Sequence, residues 1–195
     1  MNEILFATAN PHKTSEVRKI LSGSFKIKDL ADISFKGKLV ERETSLEGNA
    51  ISKARQALTA TGFNCCFAED SGLEVKALEG RPGVFSARFA GPERDNEENM
   101  KKVLRLLENS SDRSARFKTV IAFIDEDGIQ TFEGIVNGVI ANKPAGDSGF
   151  GYDPIFIPEG FDKTFAQLPP ETKNKISHRS KAMSKFIDWL KTYQN

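Results

Sequence analysis

Two long apolar runs, residues 117–124 and 129–140, flank the short stretch Asp125-Glu126-Asp127-Gly128. Runs of this length, continuous or alternating in hydrophobicity and separated by a turn that ends in glycine, are the pattern of a β-hairpin. Nothing in either run asks for chemistry, so both are assigned to a central sheet. A chain of 195 residues is long enough for one domain with a substantial core, or for one domain with an added lobe.

The other segments supply strands and helices around that hairpin. Ile4-Leu5-Phe6-Ala7 reads as a short strand, and Val17, Ile20 and Leu21 have helical spacing that starts a helix near His12. A second strand falls within residues 25–37. Thr44-Ser45-Leu46-Glu47 fits a capping box and opens a helix with Ala50, Ile51, Ala54, Ala57 and Leu58 on one face, ending at Gly62. Cys65-Cys66-Phe67 reads as a buried strand, and Leu73-Glu74-Val75 alternates like another. Arg94-Asp95 leads into a helix carrying Met100, Val103, Leu104 and Leu107, and a last helix buries Ala182, Met183, Phe186, Ile187 and Leu190. The adjacent cysteines would point to opposite faces of their strand, which argues against a mutual disulfide.

Composition limits the partners. Net charge is +1 and the pI about 7.7, so no long-range field points to nucleic acid or to an acidic membrane surface, and anion recognition has to come from local clusters. No secretory leader and no apolar run of membrane-spanning length is legible, which leads us to expect a cytoplasmic protein.

Four stretches carry chemistry. In Ala68-Glu69-Asp70-Ser71-Gly72, two adjacent carboxylates sit where a strand meets the turn signal Ser-Gly. Buried carboxylates repel one another, and a bound divalent cation removes that cost; Mg²⁺ takes one or two carboxylates plus phosphate oxygens and water. Asp70 is therefore a candidate metal ligand and general base, while a solvated strand end is the plainer reading of the same residues. Next, Thr8, Ala9, Asn10, Pro11, His12 and Lys13 join a strand to a helix start, with Asn10 as N-cap and Pro11 in the first turn. Free N–H groups, two polar side chains and a lysine at that point suit phosphate, and they equally suit a well-capped helix with a solvent-facing lysine. Finally, Gly149-Phe150-Gly151-Tyr152-Asp153 combines backbone freedom with two aromatic rings and a carboxylate, the components of a site for a flat heterocycle, or of a loop that covers the core. The basic run from Lys173 through Ser177, His178 and Arg179 to Lys181 opens the last helix, with Ser177 as its cap. Cations at a helix start oppose the dipole, by roughly 0.3–1 kcal/mol each, which an anionic ligand would reverse.

With these motifs in place, the chain resembles the inosine triphosphate pyrophosphatase family, which acts on noncanonical purine nucleoside triphosphates. The resemblance rests on Thr8-Ala9-Asn10-Pro11-His12-Lys13, Leu46-Glu47-Gly48-Asn49-Ala50, Glu69-Asp70-Ser71-Gly72-Leu73, Pro82-Gly83-Val84-Phe85-Ser86-Ala87-Arg88, Gly149-Phe150-Gly151-Tyr152-Asp153-Pro154 and Ser177-His178-Arg179, in the family's order along nearly the whole chain. It implies an elongated, two-lobed α/β domain spanning residues 1–195, with a long mixed central sheet and a cleft between the lobes, in a homodimer. It implies Mg²⁺-dependent hydrolysis of ITP, dITP and XTP to monophosphate and pyrophosphate. Asp70 matches the proton acceptor and a metal ligand, and Glu41 the second metal acid, with Glu43 its rival. Residues 8–13 and Ser71 match the triphosphate site; Phe150, Gly151, Tyr152 and Asp153, joined by Lys173, His178 and Arg179, match the base site. Where the family often has an aspartate, this chain has Glu69. A pyrophosphatase for modified pyrimidine nucleotides, or a sensor that binds without turnover, are the alternatives.

Overall fold

The computed structural model describes residues 3–20 and 26–193. The fold is α/β, with a six-stranded mixed sheet in the order β2-β1-β3-β4-β5-β6. In chain order the elements are β1 (Glu3–Phe6), α1 (Pro11–Ile20), β2 (Lys26–Asp29), α2 (Leu46–Thr61), β3 (Cys66–Val75), α3 (Asn96–Leu106), β4 (Ser114–Asp125), β5 (Gly128–Ile140), β6 (Phe156–Pro158), α4 (Pro170–Ile176) and α5 (His178–Tyr193). The expected hairpin is β4-β5, turning through Glu126 and Asp127. Among the described residues no helix is long and apolar enough to cross a membrane. Leu21 and Phe25, used in the sequence reading, lie outside the described residues.

The chain forms two compact units. The first comprises Met1–Asp70, Thr119–Gly134 and Arg179–Asn195. In it β1 pairs in parallel with β2 and with β3. Parallel strands need long crossovers, and α1 and α2 supply them. Strand β1 is covered on both faces, which is why it reads as an unbroken apolar run. Ile4, Phe6 and Phe67 pack with Ala182, Met183, Phe186 and Leu190 of α5, while Leu5, Ala7, Cys66 and Ala68 pack with Ala54 and Ala57 of α2. The rings of Phe6 and Phe67 stack at 4.4 Å. Cys65 and Cys66 fall into these two different clusters and are both free thiols, as strand alternation required.

The second unit comprises Ser71–Lys118 and Ile135–His178. Its core gathers Leu73 and Val75 of β3, Val103 of α3, Phe117 of β4, Val136 and Ile140 of β5, and the rings of Tyr152, Phe156 and Phe165. Here β6 pairs antiparallel with the end of β5. Arg113 holds the start of β4 by donating to three carbonyls, those of Ile140, Ala141 and Leu107.

The structure corrects three local expectations. Ser71-Gly72 is not a turn: β3 runs through it without a break. Glycine stands at 72 because a Cβ there would lie 2.4 Å from the Gly83 carbonyl oxygen, so the position serves close backbone approach. The cap of α2 is Ser45 rather than Thr44, its Oγ accepting from Gly48 N at 3.0 Å, which leaves Glu47 inside the helix. The basic run is split, since Lys173 and Lys175 lie in the last turn of α4 and Ser177 is the extended residue that ends it. Cations in a last turn agree with the dipole, so only the residues from His178 onward oppose it.

Candidate active site

Adjacent residues on a strand point to opposite faces, and this places Glu69 and Asp70 in two different environments. Asp70 faces α2. The buried stripe of that helix is Leu46, Asn49, Ala50, Lys53, Ala54 and Ala57, so its polar members, Asn49 and Lys53, stand one turn apart. Asn49 Nδ2 donates to Asp70 Oδ2 at 3.0 Å and Lys53 Nζ donates to Asp70 Oδ1 at 3.1 Å. Lys53 also donates to Glu41 Oε1 and to the Glu69 carbonyl, each at 2.8 Å. One ammonium therefore holds two carboxylates from different parts of the chain. Burial presses Lys53 toward neutrality, but Asp70 and Glu41 outweigh it and its pKa lies above the ordinary lysine value. Of the two rival acids, Glu41 has its carboxylate in this cluster, whereas Glu43 contributes its backbone N–H to Asn49 Oδ1 at 3.1 Å.

Glu69 faces the other way, its side chain 1% exposed. Arg179 Nε lies 3.0 and 2.9 Å from its two oxygens, and Lys13 Nζ lies 3.0 Å from Oε1. The Arg179 guanidinium also engages Glu16. Burial would raise the Glu69 pKa, yet Arg179 and Lys13 hold it far below the usual carboxylate range. Burial lowers the Lys13 pKa, the neighbouring Lys53 and Arg179 charges add to that, and Glu69 offsets part of it.

At the start of α1, Asn10 Oδ1 accepts from His12 N at 3.0 Å and from Lys13 N at 3.4 Å, and Thr8 Oγ1 accepts from Asn10 N at 3.1 Å. The expected cap is present, and it already occupies N–H groups that the sequence reading offered to phosphate. Anion-binding capacity here thus rests on the Thr8 hydroxyl and the Lys13 ammonium.

The second unit carries the glycine-rich loop. Gly149 and Gly151 adopt φ of 82° and 63°, the left-handed region, and a Cβ on Gly149 would meet Asp153 Oδ2 at 2.1 Å. Asp153 Oδ2 accepts from Phe150 N at 2.8 Å and from Lys173 Nζ at 2.7 Å, and the Lys173 ammonium sits 5.4 Å from the Phe150 ring centre. The Tyr152 hydroxyl donates to the Ser86 carbonyl at 2.8 Å, and burial lifts its pKa above the ordinary phenol value. His178 stacks on Phe117 at 4.6 Å with the rings nearly parallel.

Of the residues singled out from sequence, Thr8, Ala9, Asn10, Pro11, His12, Lys13, Glu41, Asp70 and Arg179 belong to the first unit. Ser71, Phe150, Gly151, Tyr152, Asp153, Lys173 and His178 belong to the second. Within the first, Lys13 and Arg179 share Glu69, and Glu41 and Asp70 share Lys53. The sequence reading assigned no role to Asn49 or Lys53 individually. The signal was available: an asparagine and a lysine at helical spacing within an alanine-rich apolar stripe, where such residues are rarely buried without a partner.

Residues 4–189 match the sequence profile of the Ham1 family. The chain belongs to that family. Its Ham1 relatives include a dITP/XTP pyrophosphatase of Flavobacterium johnsoniae, 47% identical over 188 residues that span 96% of this chain and 97% of that protein. A dITP/XTP pyrophosphatase of Bacillus subtilis is 44% identical over 194 residues, covering 97% and 98% of the two chains. Among solved structures, the Ham1 protein of Staphylococcus aureus aligns with a TM-score of 0.90 at 38% identity, over 98% of this chain and 100% of that one. A HAM1 protein from Coxiella burnetii gives 0.91 at 39% identity with the same coverage.

Proposed function

We propose that this chain hydrolyses noncanonical purine nucleoside triphosphates, ITP, dITP and XTP, to the monophosphate and pyrophosphate. The observation that carries the reading is Asp70, fixed on one face of β3 by Asn49 and by a lysine it shares with Glu41, while the next residue back on the strand holds Lys13 and Arg179. The Flavobacterium and Bacillus relatives, both named dITP/XTP pyrophosphatase, support the substrate class.

Asp70 accepts a proton from water as the water oxygen bonds to the α-phosphorus. The bond from that phosphorus to the α–β bridging oxygen breaks, and pyrophosphate leaves with the bridging oxygen. Lys13 and Thr8 bear on the phosphate oxygens, and Ser71 adds a hydroxyl. Arg179, which the resemblance places with Lys173 and His178 at the base, pairs with Glu69 and Glu16. Positioning and charge carry most of such a reaction, and no protein nucleophile is needed. Glu41 and Asp70 are the hard oxygen donors that would hold Mg²⁺, at the place where the Lys53 ammonium meets both carboxylates. When bound, Mg²⁺ neutralises phosphate charge. The loop around Phe150 stacks the base, and donors of this loop with Lys173 bond the 6-keto oxygen that adenine lacks. The same reading gives one catalytic domain over residues 1–195, working as a homodimer in the cytoplasm, with no nucleic-acid partner.

The test is pyrophosphate release from ITP, XTP, GTP and ATP, with Mg²⁺ and after chelation. Release from ITP and XTP should exceed that from ATP by at least about a hundredfold, as hydrogen-bonded selection allows, and stop on chelation. Equal rates on all four would refute the selectivity.

A further inference from the structure

The stretch Pro82-Gly83-Val84-Phe85-Ser86-Ala87-Arg88 has no part in the reaction as described, yet it is stitched to the strand and the loop that do. The short helical turn Gly83–Arg88 lies against β3 just after Ser71. Ser86 Oγ accepts from Leu73 N at 2.9 Å and donates to the Gly83 carbonyl at 2.6 Å. That same carbonyl is the one that admits only glycine at position 72. Val75 N donates to the Arg81 carbonyl at 3.2 Å, tying the preceding residues to β3 as well. On its other side, the Ser86 carbonyl accepts the Tyr152 hydroxyl at 2.8 Å. Ser86 and Tyr152 are 8% and 5% exposed, so water does not substitute for these bonds. One serine thus joins the strand that bears Ser71 to the glycine-rich loop. A phenol has a single proton to donate, and Tyr152 gives it to Ser86.

We infer that Ser86 is the positioning residue that sets loop 149–153 against the strand carrying Ser71, and that Tyr152 acts through Ser86 rather than by donating its hydroxyl proton to the base. The inference rests on the reading of that loop as the base site and deepens it.

The experiment compares Tyr152→Phe, Ser86→Ala, Ser86→Thr and the double variant Tyr152→Phe/Ser86→Ala with the wild type, measuring kcat and KM on ITP and ATP together with thermal stability. Tyr152→Phe and Ser86→Ala should each raise KM for ITP by roughly 5- to 30-fold, the range expected for one buried hydrogen bond, with kcat within about twofold. The ITP-to-ATP preference should fall by a similar factor, because ATP never gained the aligned contacts. The double variant should lose little more than either single one, since both changes free the same loop. Ser86→Thr, which keeps the hydroxyl, should restore most of the preference. A purely structural serine would lower the melting temperature and leave KM and the preference where they were, and that result overturns the inference. So does an additive double variant. Should Ser86→Ala fail to fold, Ser86→Cys, which fills the same space and weakens the Oγ bonds, takes its place in the single and double variants. A wild type that turns over neither triphosphate removes the underlying base-site reading, and this inference with it, whereas an active wild type with unaffected variants removes the inference only.

Discussion

Replacing Lys53 by methionine keeps the length and apolar stem of the side chain and deletes its ammonium. In the native protein that group meets Glu41 and the Glu69 carbonyl at 2.8 Å and Asp70 at 3.1 Å. The ion-pair side chains are 9%, 21% and 11% exposed for Lys53, Glu41 and Asp70, so solvent screens them weakly. Without the ammonium, two carboxylates and a buried carbonyl lose their common donor. Removing one partner of a buried pair costs about 3–5 kcal/mol. For a chain of this size each kcal/mol moves the melting temperature by about 2–4 °C, so Lys53→Met should melt roughly 6–20 °C below the wild type. Because the folded-state pKa of Lys53 is raised, its contribution is fully present below the ordinary lysine value and fades only as pH climbs through the raised one. The gap between the two proteins should therefore be flat from neutrality to about pH 9 and close only above about pH 10. The assay is thermal denaturation followed by circular dichroism across that range, repeated with Asp70→Asn, where the loss should shrink because one of the stranded charges is gone. A Lys53→Met protein melting within about 2 °C of the wild type, less than 1 kcal/mol, would refute the claim that this lysine holds the acids together.

Other perturbations test neighbouring parts of the structure. Glu69→Gln removes a carboxylate whose pKa is depressed by Arg179 and Lys13 against the opposing effect of burial, so the stability it gives is present above its ordinary pKa, about 4.3, and lost as pH falls. Urea midpoints of wild type and Glu69→Gln should differ by a constant amount above about pH 5, and the gap should narrow steadily as pH falls from about 4 toward about 3; a gap unchanged between about pH 5 and about pH 3 contradicts the ion-pair account. Gly72→Ala drives a Cβ to within 2.4 Å of the Gly83 oxygen and should cost about 1–3 kcal/mol in chemical denaturation, whereas an unchanged midpoint means that β3 and the turn are not locked together. Added Mg²⁺ should raise the melting temperature of Lys53→Met by more than that of the wild type, because it can take the ammonium's place between Glu41 and Asp70; equal shifts argue against a cation site there.

Much of the fold was legible because the burial pattern follows elementary periodicities. Residues 4–7 are apolar without alternation because β1 is covered on both faces, and the split of Cys65 and Cys66 into two clusters follows from strand geometry alone. Asn10 and Gly62 mark helix ends by side-chain and backbone chemistry that any sequence shows. The reading failed where a residue answers to a distant partner. Gly72 looks like punctuation, but its reason is the backbone of residue 83. The run around Ser177 looks like one basic helix start, but Pro170 begins a separate helix whose last turn takes the two lysines. Asp70 and the resemblance motifs named the candidate site, yet Lys53, which joins Glu41 to Asp70, was hidden because an ordinary surface lysine and a buried bridging one are the same letter. The hydroxyl of Tyr152 was likewise legible as an aromatic tip but not as the donor to Ser86.

The most direct measurement is pyrophosphate release from ITP by the wild type and by Asp70→Asn, at equal folded concentration and saturating Mg²⁺. With Asp70 as proton acceptor, the wild type should turn over ITP and Asp70→Asn should lose about 10²–10⁴-fold in kcat, the span typical of general-base removal. A variant that matches the wild type, or a wild type that releases no pyrophosphate, contradicts the account.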